Sequence, residues 1–81
     1  MIEVFKTNIN CPDKALQLVE QVHNSFNGYK ANFDLEDCDR VLRIVSNTGS
    51  IITAYFIDWL KNYDCNAEVL PDNWNKNLYK N

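Results

Sequence analysis

The sequence predicts a mixed α+β domain with six elements in the order β-α-β-β-α-β. Two helices should cover one face of a four-stranded antiparallel sheet. Three observations carry that expectation. Apolar residues recur at helical spacing in two stretches, 15–26 and 52–63. Residues 29–36 alternate apolar and polar side chains strictly, as a strand with one dry and one wet face does. Turn residues punctuate the intervals between these stretches.

The first strand is expected at residues 2–7, Ile2-Glu3-Val4-Phe5-Lys6-Thr7, which are rich in β-branched and aromatic types. Asn8-Ile9-Asn10-Cys11-Pro12-Asp13 then breaks it. Pro12 suits a first helical position, which makes Cys11 the N-cap, and Asp13 complements the helix dipole. Ala15, Leu18, Val19, Val22 and Phe26 form one apolar stripe, broadened by Leu16. Asn27-Gly28 is a left-handed stop signal.

In the second strand, residues 29–36, Tyr29, Ala31, Phe33 and Leu35 face the core. Lys30, Asn32, Asp34 and Glu36 face water. Asp37-Cys38-Asp39 reads as a turn, and residues 40–46 return as a strand through Val41, Leu42, Ile44 and Val45. After Asn47-Thr48-Gly49, Ser50 is the expected cap of a second helix. Its stripe is Ile52, Phe56, Trp59, Leu60 and Tyr63. Asp64-Cys65-Asn66 closes it, and Ala67-Glu68-Val69-Leu70 is a short last strand before Pro71. This order is the ferredoxin-like, split βαβ arrangement. The right-handed crossover rule gives strand order 4-1-3-2. The domain should span 1–71, with 72–81 a polar and aromatic tail carrying Trp74, Leu78 and Tyr79.

Composition excludes several functions. The 81 residues carry 11 Asp+Glu against 8 Lys+Arg, a net charge of -3. A nucleic-acid binder needs the opposite sign. No apolar run approaches a membrane span of about 20 residues. The first residues lack a basic segment followed by an apolar one, so the expected compartment is the cytoplasm, with reduced cysteines. His23 is the one histidine and sits beside the stripe of the first helix, as a boundary residue. Asp34, Glu36, Asp37 and Asp39 are acidic neighbours on a wet surface. Gly28 and Gly49 stand alone at element ends, so no phosphate loop is present.

Three stretches share the pattern of a known family: Val4-Phe5-Lys6 with Asn8-Ile9-Asn10-Cys11, the helix from Pro12 to Phe26, and residues 60–69 through Cys65. Over residues 2–70 the chain resembles a heavy-metal-associated domain, the fold of small copper chaperones. That family binds a soft metal through Met-x-Cys-x-x-Cys. In this sequence Ile9 stands at the Met position, Cys11 matches the first Cys, and Lys14 replaces the second. The resemblance aligns Cys65 with the loop residue beside the metal.

The topology puts the loops of Cys11, Cys38 and Cys65 at one end of the sheet. A substitute pair, Cys11 with Cys65 and with Cys38 as a third donor, is the metal alternative, taking Cu(I) or Zn. A third alternative is a redox-sensitive Cys11, whose thiolate would meet the positive end of a helix dipole. The leading expectation is a non-catalytic binding module with a degraded metal loop, no required cofactor and a protein partner. Its contact surface is the cysteine end or the open sheet face bearing Lys6, Lys30, Asn32, Asp34 and Arg43. The edge strands also offer pairing with another strand or a second copy, as a weak homodimer.

Overall fold

A computed structural model describes residues 1–36, 38–47 and 49–70. It contains β1 (Ile2–Thr7), α1 (Pro12–Ser25), β2 (Tyr29–Asp34), β3 (Val41–Ser46), α2 (Thr53–Lys61) and β4 (Ala67–Val69). The strands form one antiparallel sheet in the order β2-β3-β1-β4, which is the expected 4-1-3-2 read from the other edge. The fold is α+β and ferredoxin-like. No helix among the described residues is long and apolar enough to cross a membrane.

Register sorts the side chains. Phe5 pairs with Leu42, and Glu3 and Ala31 both pair with Ile44, so these positions share the helix-covered face. Phe5, Leu42 and Ile44 are fully buried there. Leu18 and Val22 of α1 and Phe56 and Leu60 of α2 close over them. The opposite face carries Ile2, Val4 and Lys6 of β1, Lys30, Asn32 and Asp34 of β2, and Val41, Arg43 and Val45 of β3. Cross-strand polar pairs stitch it: Arg43 donates to Asn32 Oδ1 at 3.2 Å, and Lys6 lies 3.9 Å from Glu68. It is less polar than alternation alone suggests, because Val4, Val41 and Val45 also lie on it.

Several boundaries differ from the sequence expectation. Ser50 does not cap α2. Ile51 is driven into the core, the chain stays extended through the exposed Ile52, and the helix begins at Thr53. Burial of one more isoleucine thus outweighs a hydroxyl cap of about 1 kcal/mol. Leu16 does not join the core; it is 61% exposed. β2 stops at Asp34, with Leu35 and Glu36 already in the turn. α1 ends at Ser25, and Gly28 takes the positive φ of 89° that returns the chain to the sheet. The tail at 72–81, with Trp74, Leu78 and Tyr79, lies outside the described residues, as do Asp37, Thr48 and Pro71.

Phe56 is the side chain on which both helices converge, with ring centroids 5.4 Å from Phe5 and 5.3 Å from Phe26. Phe56→Ala should lose about 3–5 kcal/mol. An 81-residue domain has a total of about 4–12 kcal/mol. In urea titration the midpoint of Phe56→Ala should fall well below that of wild type, and Phe56→Leu, which keeps more of the buried volume, should lie between the two. Equal stability of Phe56→Ala and wild type would contradict this packing.

Candidate functional site

Two regions compete. The first is the cysteine end. Thr7 organises it: its hydroxyl donates to Arg40 O at 2.6 Å and accepts from Ile9 N–H, and its N–H donates to Asp39 O. Asn66 N–H donates to Asn8 Oδ1 at 2.9 Å, and Lys14 Nζ donates to Asp64 O at 3.3 Å. The three connections carrying Cys11, Cys38 and Cys65 are therefore tied together at one end of the sheet.

The cysteines themselves differ sharply. Cys11 is exposed at the N-cap of α1, and its side chain caps nothing. Cys38 is exposed in the β2–β3 connection. Cys65 is fully buried. The reason lies in how α2 stops. Asp64 adopts φ +60°, Cys65 N–H donates to Leu60 O, and Asp64 N–H donates to Lys61 O. That is a Schellman motif, in which the residue after the left-handed position packs back on the helix. Cys65 is that residue, buried with Leu60. Burial pushes its thiol up from the ordinary 9.0 to about 11, and the Lys14 ammonium only partly offsets the shift.

These residues fit a soft metal poorly. Such a site needs converging thiolates. Cys11 and Cys38 are exposed, Cys65 is a buried thiol whose burial resists ionisation, and the Lys14 cation acts on it. Among the described residues no group of three or more His, Cys, Asp or Glu could hold a metal ion.

The second region is the edge of β2, one of the two edge strands that the sequence offers for pairing; the groove beside it is what sequence reasoning missed. In an antiparallel strand successive residues point their backbone groups to opposite sides. Ala31 N–H points away from β3 and donates to His23 Nε2 at 3.0 Å. Phe33, two residues on, points its N–H and C=O the same way. His23 thus accepts through Nε2 and covers part of a strand edge. Beside this edge runs an open groove of about 500 Å³ between α1 and β2. Its apolar lining is Pro12, Ala15, Leu16 and Val19 on one side and Phe33 and Leu35 on the other. The exposed Leu16 belongs to this groove. The signal in the sequence was a surplus: α1 carries two apolar residues, Leu16 and Val19, beyond the Ala15, Leu18 and Val22 that it buries.

Comparison with protein-family models, with curated proteins and with solved structures finds no match for this chain.

Two outcomes follow for the thiols. Cys11 and Cys38 should react with a thiol reagent at once, and Cys65 only on unfolding; three equally fast thiols would contradict its burial. The pH dependence has a definite sign. The folded state holds the Cys65 proton more tightly than the unfolded state, so the contribution is complete below pH 9 and is lost as pH rises to about 11. Denaturation at pH 8 and pH 11 should show a larger loss in wild type than in Cys65→Ala. Parallel losses would remove Cys65 as the cause.

Proposed function

We propose that this chain is a non-catalytic protein-binding module and that its contact surface is the β2 edge with the groove beside α1. The observation that carries this reading is the coincidence of outward backbone groups at Ala31 and Phe33 with an apolar trough along the same edge. An extended segment laid there gains main-chain hydrogen bonds from β2 and side-chain burial against Leu16, Val19 and Phe33. This is strand addition, in which the backbone gives affinity and the groove gives selectivity. The other edge strand, β4, has three residues and offers a much shorter ladder.

The test is selection from a library of short peptides, followed by mapping of backbone amide shifts. Perturbations should concentrate at residues 15–19 and 31–35. Leu16→Asp should abolish binding without changing the far-ultraviolet spectrum. No selected peptide, or shifts confined to the cysteine end, would count against this surface.

The rival soft-metal carrier would use Cys11 and Cys65. It requires Cys65 to leave its buried place and lose its proton. Anaerobic titration of the reduced protein with Cu(I) and Zn(II) should therefore give no site that depends on both residues. One-to-one binding lost in Cys11→Ser and in Cys65→Ala, with both variants folded, would replace the present reading.

A further inference from the structure

We propose that the occupant of the β2 edge is the β2 edge of a second copy, paired antiparallel about a two-fold axis at Asn32. This inference rests on the reading of that edge as the contact surface. A two-fold pairing must oppose outward-pointing backbone groups with outward-pointing groups, which limits its centre to one residue and excludes a centre between residues. Within Tyr29–Asp34 the two central choices are Ala31 and Asn32.

Centring on Asn32 places Ala31 opposite Phe33 of the second copy, and Phe33 opposite its Ala31. Both are positions whose N–H and C=O leave the sheet edge. Four main-chain hydrogen bonds join the two strands there. On the open face the same register puts Lys30 opposite Asp34 of the second copy, and Asp34 opposite its Lys30. Those are non-hydrogen-bonded pairs, the ones whose side chains approach most closely. Centring on Ala31 instead opposes Lys30 with Asn32 and leaves Asp34 facing Gly28. Of these two registers, only the one centred on Asn32 is charge-complementary.

The helix side agrees. An axis perpendicular to the sheet sets both copies of α1 on the same face, flanking the axis. The exposed Leu16 and the half-buried Val19 line that side of α1. Pairing brings them against their counterparts, and a small residue, Ala31, opposes a large one, Phe33. His23 regulates the contact. Its Nε2 holds the Ala31 N–H that the second copy needs, so each pairing displaces two histidine hydrogen bonds. A histidine over an exposed edge is a guard against pairing, and its presence makes the dimer weak.

Sedimentation equilibrium of the full chain, from about 10 μM to 1 mM, tests this. Wild type should show a reversible monomer–dimer equilibrium. Lys30→Asp and Asp34→Lys should each weaken it by about tenfold or more, since two attractive pairs become repulsive. An equimolar mixture of the two variants should dimerise again, because all cross-strand pairs are then opposite in charge. His23→Ala should tighten the wild-type dimer, and Leu16→Glu should weaken it without touching the sheet, which keeps the test decisive if Asp34→Lys does not fold. A protein that stays monomeric with and without His23, or a dimer indifferent to both charge reversals, overturns the proposal. If peptides still select the β2 groove in that case, the surface stands and only the second copy falls.

Discussion

The position of Phe56 governs the rest of this molecule. Its ring contacts Phe5 at the sheet centre and Phe26 at the exit of α1, and Phe26 in turn stacks on Tyr29 at 5.0 Å with the planes 8° apart. Tyr29 opens β2. One chain of aromatic contacts therefore ties α2, the sheet, the end of α1 and the start of β2 together. With α1 held beside β2, His23 comes within hydrogen-bond distance of Ala31, and the groove between helix and strand acquires its two walls. The candidate surface is a by-product of how the core is closed.

The cysteine end shows the opposite logic. The same loops that a soft-metal site would use are occupied by structural hydrogen bonds. Thr7 holds the β2–β3 connection and the start of the β1–α1 loop with one hydroxyl, and Lys14 donates to the carbonyl of Asp64. Cys65 completes a helix stop and is protected by burial. A group that supports a helix terminus in its neutral form is poorly placed to act as a thiolate ligand. This end is organised for stability, whereas the β2 edge presents backbone groups and apolar surface to the outside.

Much of the fold was legible because its determinants are periodic. Strict alternation at 29–36 and the helical stripes at 15–26 and 52–63 are signals that survive without tertiary information. The element order then followed from short connections and crossover handedness. What was not legible depended on tertiary contacts. Ile51 enters the core and delays α2, which a local cap at Ser50 could not reveal. Leu16 matches the helical period yet lies outside the core, on the side of α1 that lines the groove beside β2. Cys65 reads as a loop residue, and only the left-handed Asp64 explains why it is buried. His23 has no sequence signal for its role at all: its partner is a backbone N–H eight residues away, brought close by the turn at Gly28.

The most direct measurement is amide hydrogen exchange at Phe33, read at low and at high protein concentration and with a bound peptide. This N–H faces out of the sheet edge in the isolated chain. It should exchange rapidly in dilute solution and slow markedly once a second strand is paired with β2. A Phe33 amide that is already protected in dilute solution, or one whose exchange no partner changes while core amides behave normally, would contradict an interacting β2 edge.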